Sequence, residues 1–299
     1  MRTQETPAVD TAGLGKRYGS LWALEDCSVT VPAGRVTALI GPNGAGKTTL
    51  LKMLAGLSRP SVGEVTVLGR RPGQDAGFLD SIGYLAQDIP LYRRLTAADH
   101  LRIFARLNPH WDAAAAADRL AALNIPVSRP VGSLSGGQRA QVGLSLALAK
   151  QPRLLLLDEP VAALDPLARR EFLASLAGAA AEGGPAVILS SHLLHDLERV
   201  CDYLILLSAS RTQLCDSIDN VLATHRVLIG PRQKPPAGVT VVKATNAAQQ
   251  SQLLCRLDGP VLDPSWDVHE VSLEDIVLGY MGEAASPANG NLTVIGEAS

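Results

Sequence analysis

"LIGPNGAGKTTLLKMLAGL", residues 39–57, joins an apolar run, a glycine-rich turn, Lys-Thr-Thr and a second apolar run. Within it Gly41, Pro42, Asn43, Gly44, Ala45, Gly46, Lys47 and Thr48 fit GxxxxGK[ST] without a mismatch. The preceding Val36 to Ile40 are apolar and partly β-branched, which predicts a buried strand. Residues 49–55 hold good helix formers, and Gly56 marks a stop. The context is therefore strand, glycine loop, helix. Glycines let the backbone wrap around a polyphosphate with its N–H groups inward, at a helix N-terminus that already favours negative charge. Lys47 is expected to reach the β- and γ-phosphates and the Thr48 hydroxyl to ligate magnesium. The loop, through Thr49, is expected to hold a nucleoside triphosphate.

A phosphate loop alone does not choose among kinases, GTPases, motors and transport ATPases. Composition narrows the field. At 299 residues there is room for one large α/β domain and a smaller one. The 27 Lys+Arg nearly balance the 29 Asp+Glu, which argues against a strongly basic nucleic-acid surface. Aromatics at 4% leave few platforms for stacked bases, so no direct nucleic-acid contact is expected. Cys27, Cys201, Cys215 and Cys255 form no CxxC pair, and packing thiols in a reducing compartment are the default. The polar start, "MRTQETPAVD", lacks the apolar centre of a secretory leader. No apolar run approaches the ~18–20 residues needed to cross a bilayer. The expectation is a cytoplasmic protein; for work at a membrane another chain must supply the spanning part.

Along the chain, short β-like pieces with glycines between them fill residues 9–31, and strand signals recur near 64–68 and 81–86. Residues 95–122 turn helical, with Pro109 separating two helices. A Pro/Gly/Ser loop leads into a helix ending near Lys150. There follow a strand at 153–157, a helix from Pro166, a strand at 186–190, a short helix from Leu193 and a strand at 203–207. Strands alternating with helices predict an α/β fold of the P-loop NTPase type with a mainly parallel sheet. To it are added an N-terminal antiparallel β-subdomain and an inserted helical lobe at about 95–150. The main domain is placed at 8–208, a small α+β appendage at 209–282 and a disordered tail at 283–299. In the appendage "KPPAGVT" predicts a turn, "TNAAQQSQLLCRL" a helix, and "SLEDIVLGYM" a helix capped at Ser272.

Two further motifs bear on chemistry. "LSGGQ", Leu134, Ser135, Gly136, Gly137 and Gln138, opens the helix that runs to Lys150. A serine and two glycines at a helix start offer a hydroxyl, free N–H groups and the helix dipole to an anion. "RLLLLDEP" places Asp158 and Glu159 at the carboxyl end of an apolar strand, where ligands bind in open α/β sheets. Asp158 suits a magnesium-shell carboxylate, and Glu159 could polarise a water for attack on the γ-phosphate.

Phosphate loop, LSGGQ and Asp-Glu strand, in this order, resemble the nucleotide-binding subunit of ATP-binding cassette (ABC) transporters, across residues 8–208. The resemblance implies further roles. Tyr18 stands where the family stacks an aromatic on adenine. Gln87, in "YLAQD", matches the glutamine that touches magnesium and water and lies at the membrane-subunit contact. Asp165, in "AALDP", matches the aspartate of the loop that crosses between subunits. His192, in "SSHLLHD", matches the histidine at the γ-phosphate. Val161-Ala162-Ala163 depart from the small polar residues and glycine usual in the family.

From the family, two such subunits pack head to tail, so that Ser135 and Gly137 of one complete the site around Lys47 of the other. ATP and magnesium are the implied cofactors. The implied partners are a second nucleotide-binding subunit, a homodimer being favoured, and a separate transmembrane permease. That places the subunit on the inner face of the cell membrane. The "SLEDIVLGYMG" helix resembles the tails of bacterial drug or antibiotic export ATPases, which favours export. The rival reading is a soluble ABC ATPase acting on DNA or ribosomes. Those relatives usually carry two cassettes, coiled-coil arms or zinc-binding cysteines, and none is seen in this sequence.

Overall fold

The computed structural model describes residues 6–282 apart from Glu182, Leu193, Asp196, Ala248 and Gln249. The expected tail at 283–299 lies outside the described residues. The chain divides between Thr212 and Gln213 into two compact units.

The first unit opens with β1 (Val9–Tyr18), β2 (Leu21–Cys27) and β3 (Thr30–Val31), and β5 (Val62–Val67) pairs with β1. Every pairing in this sheet is antiparallel, as expected for the β-subdomain. The larger sheet contains β4 (Val36–Ile40), β6 (Ile82–Leu85), β7 (Leu154–Leu157), β8 (Ala186–Ser191), β9 (Tyr203–Ser208) and β10 (Arg211–Ser217), in the order β10-β9-β4-β8-β7-β6. From β9 to β6 the neighbours run parallel. Each residue of β4, β7 and β8 is buried, because helices cover both faces of a parallel sheet and no side is left for water. Around the sheet lie α1 (Lys47–Leu54), the short α2 (Ala76–Asp80) and α6 (Pro166–Ala180).

Between β6 and β7 the chain leaves the sheet to form α3 (Ala97–Leu107), α4 (Ala113–Ala122), a 3-10 turn at Val131–Ser133 and α5 (Gly136–Ala149). The helices begin where side chains can satisfy their first N–H groups. Thr96 and Asp99 form a reciprocal capping box at α3, and Asp112 accepts from the Ala115 amide at α4. Pro109 falls in the break between them, as expected. The lobe has its own core of Ala97, Leu120, Ile125, Val131, Leu134, Val142 and Leu146. Leu134 is thus an anchor, and it fixes the point at which α5 starts.

The short helix expected from Leu193 begins outside the described residues, which also leave out Asp196. After His192 the described residues make turns rather than a helix: Leu194 accepts from both Leu197 and Glu198, and Leu197 from both Val200 and Cys201. Leu194, Leu197 and Cys201 keep helix-like spacing because a chain of turns buries the same face.

The second unit contains α7 (Ile218–Thr224), β11 (His225–Pro231), β12 (Val239–Asn246), β13 (Gln250–Leu257), β14 (Asp267–His269) and α8 (Leu273–Gly282). Its antiparallel sheet runs β12-β13-β11-β14. The expected helix in "TNAAQQSQLLCRL" is instead the end of β12 and the strand β13. Its Ala, Gln and Leu favour helix locally, but pairing along both edges wins. The helix from Ser272 does form, with the Ser272 hydroxyl accepting from the Asp275 amide at 3.1 Å. Gly279 of α8 lets that helix lie close on the sheet: a Cβ there would collide with Leu254 Cδ2.

Candidate functional site

Parallel strands bring the chemistry to one edge. Gly41 follows β4, Asp158 and Glu159 follow β7, His192 follows β8, and Gln87 lies two residues past β6. The Asp158 amide donates to the Leu85 carbonyl (2.9 Å), which holds the ends of β7 and β6 side by side. Register then pairs Leu39 with Ser190 and Ile40 with Ser191.

At the loop, Gly46 is the N-cap of α1 with φ 100°, and no side chain caps that helix. A Cβ at Gly46 would lie 2.5 Å from the Ala23 carbonyl oxygen of β2, so a side chain there meets backbone as well as strain. Uncapped first-turn N–H groups are the donors an anion needs. Lys47 is 5% exposed, and its ammonium donates to the carbonyls of Gly41 (2.8 Å) and Pro42 (3.3 Å). The same ammonium pairs with Glu159 at 3.2 Å, and the other oxygen of Glu159 lies 3.5 Å from His192 Nδ1. Lys47, Glu159 and His192 are therefore in one chain of contacts.

Beside them, Thr48 Oγ1 donates to Asp158 Oδ1 at 3.0 Å. Ser190 Oγ donates to that oxygen at the same distance and accepts from the Glu159 amide at 2.8 Å. One buried hydroxyl thus ties both carboxylate residues in place, and it braces Glu159 at φ 46°, a left-handed conformation that costs a non-glycine residue roughly 1–2 kcal/mol. Tyr84, from β6, has its phenol pushed up to about 12 by burial and then by the Asp158 and Asp88 carboxylates, so it stays neutral. Neither Ser190 nor Tyr84 was anticipated from sequence. The only signal for Ser190 is that two hydroxyl residues close an otherwise apolar run, "AVILSS".

Thr48 and Asp158 offer a hydroxyl and a carboxylate already in contact. Those hard oxygen donors fit magnesium, which is usually held by one or two protein oxygens plus phosphate and water. Among the described residues no cluster of three or more His, Cys, Asp or Glu could form an all-protein metal cage.

The remaining residues lie apart from this network. Tyr18 ends β1, half exposed, with the Lys16 ammonium 5.2 Å from its ring centroid. Thr49 sits in the first turn of α1, and Gln87 is exposed. Ser135 caps α5: its hydroxyl accepts from the Gln138 amide, and the Gln138 side chain accepts from the Ser135 amide, each at 3.1 Å. Gly136 and Gly137 form the first turn, and a Cβ on Gly137 would come within 2.6 Å of Ala168 Cβ. Asp165 caps α6, accepting from the Leu167 and Ala168 amides.

Sheet, loop and paired carboxylates define a P-loop NTPase. Comparison with known proteins narrows this. Residues 24–162 match the ABC transporter family. The Nod factor export ATP-binding protein I of Rhizobium johnstonii is 36% identical over 210 residues, 68% of this chain and 67% of that protein. The probable multidrug ABC transporter ATP-binding protein YbhF of Escherichia coli is 37% identical over 65% of this chain, which spans 35% of that longer protein. A solved ATP-binding subunit of an ABC transporter superposes with a TM-score of 0.65 at 29% identity, over 72% of this chain and 92% of its own. The chain belongs to the ABC transporter ATP-binding proteins, and its enzymatic class is ATPase.

Proposed function

We propose that this chain hydrolyses ATP as one half of a head-to-tail pair and powers export through a separate membrane subunit. What supports the reading most is a single juxtaposition: Lys47 on Glu159, and Thr48 on Asp158, side by side at the carboxyl ends of parallel strands. Lys47 and the loop amides hold the β- and γ-phosphates. Thr48 and Asp158, joined by Gln87 from the loop after β6, would hold magnesium, which when bound would neutralise phosphate charge. Glu159 orients the water that attacks the γ-phosphate, and His192 steadies that phosphate. Tyr18 stacks on adenine. Ser135, Gly136 and Gly137, with Leu134 and Gln138 fixing the turn, reach the nucleotide of the partner subunit, and Asp165 lies on the loop that crosses between them.

Among the described residues no helix is long and apolar enough to cross a membrane. On this reading a membrane-embedded permease supplies the path, with this chain on its cytoplasmic face and no direct nucleic-acid contact. Relatives named for Nod factor and multidrug export favour export over import. The test is Glu159→Gln with ATP and magnesium. It should bind ATP, elute as a stable dimer, stop turning over, and retain a polytopic membrane protein when purified from solubilised membranes. A monomeric variant that hydrolyses ATP at the parental rate would remove the assignment of Glu159 and of the pair.

A further inference from the structure

The Tyr84 hydroxyl is a buried donor without a hydrogen-bond partner among the described residues, although its ring is only partly buried. Its place in the sheet sets what it can reach. Tyr84 of β6 lies opposite Leu156 of β7, and side chains alternate along a strand, so Tyr84, Leu156 and Asp158 share one face. The alternation carries past the end of β7. There the Asp158 amide still bonds to the Leu85 carbonyl, and its side chain meets Ser190, the residue after the Leu189 that partners Leu157.

Buried hydroxyls are nearly always partnered, so an orphan on the same face as a carboxylate is a bond close to being made. Asp158 has room for it. The hydroxyls of Thr48 and Ser190 both donate to Oδ1, and neither engages Oδ2. A carboxylate offers about four lone-pair positions. After burial, Asp158 is the strongest influence on the phenol, as a charge and, more weakly, as an acceptor. The gap to a full bond is therefore small, and a phenol pushed up to about 12 keeps its proton to donate.

We propose that Tyr84 is a positioning residue whose O–H closes onto Asp158 when nucleotide and magnesium bind, steadying the carboxylate from the side that Thr48 and Ser190 leave open. The role rests on Asp158 serving magnesium, as proposed above. With the carboxylate held by three donors from α1, β6 and β8, its plane is fixed against the pull of the cation.

Tyr84→Phe removes the oxygen and keeps the ring. Calorimetry with a non-hydrolysable ATP analogue, in magnesium and in EDTA, reads binding without turnover. Affinity in magnesium should fall about tenfold, the scale of one hydrogen bond to a charged acceptor, while affinity in EDTA stays at the parental value. The nucleotide-free variant should melt at the parental temperature or higher, since a buried hydroxyl without a partner stabilises nothing. A lower melting temperature, or a variant that does not fold, would make the hydroxyl a structural bond and overturn the proposal. So would equal weakening with and without magnesium, or no weakening. Asp88 is the other carboxylate acting on the phenol, so Tyr84→Phe is repeated in Asp88→Asn. The tenfold loss should persist there; its disappearance would give the hydroxyl to Asp88 instead. Asp158→Asn tests the magnesium role by itself. If that variant binds the analogue in magnesium as the parent does, the assignment of Asp158 fails. If it loses the magnesium-dependent affinity while Tyr84→Phe keeps it, only the role of Tyr84 falls.

Discussion

Ser190→Ala tests whether one buried hydroxyl organises the carboxylates. Ser190 is fully buried, donates to Asp158 at 3.0 Å and accepts from the Glu159 amide at 2.8 Å. Losing a hydrogen bond to a charged acceptor costs about 1.5–3 kcal/mol, and a part-buried amide left without its acceptor adds about 1 kcal/mol. A total of about 3 kcal/mol corresponds to roughly a hundredfold easier opening at Glu159, since 1.4 kcal/mol is tenfold. Hydrogen exchange reads this directly: the protection of the Glu159 amide should drop roughly a hundredfold, while amides of β11 and β13 in the second unit stay as they were. With Glu159 freed from φ 46°, ATP turnover should fall roughly tenfold with little change in KM, because Lys47 and the loop are untouched. Unchanged protection and unchanged turnover together would show that the carboxylates are held by something else.

Two other predictions concern the second unit. Gly279→Val drives a side chain into Leu254; overpacking of this kind costs about 1–3 kcal/mol, read as a lower urea midpoint for that unit. His225 accepts from or donates to Tyr280 at 3.0 Å and lies 2.8 Å from the Val221 carbonyl. Burial, the largest cause, lowers its pKa from the ordinary 6.5; the hydrogen bond to the Val221 carbonyl opposes it, and the charges of Arg256 and Arg226 add to the lowering. The unfolded chain therefore takes up the proton before the folded one as pH falls. The stabilisation is complete above about pH 6.5 and shrinks below it. Exchange protection in β11 and β13, corrected for intrinsic rates, should weaken from pH 7 to 5.5; strengthening would contradict the reasoning.

The parallel core was readable from sequence because its motifs sit at strand ends, where residue type and backbone position are set by the same phosphate-binding task. Leu134 was legible as part of a motif, though not as the anchor of the lobe's core. The second unit was harder. In β13 the helix formers Gln250, Leu253 and Leu254 are overruled by partners on β11 and β12 that no local window contains. Ser190 escaped for a related reason: its role depends on the register that sets β8 beside β4 and β7, and its own neighbours give no hint of the direction in which the hydroxyl points.

The ammonium of Lys47 is already shared between a glutamate and two carbonyls of its own loop. A triphosphate must win it from all of them. On the proposed reading, fuel capture and the liberation of Glu159 are one event, so that the carboxylate is set loose only when there is a phosphate for it to help cleave.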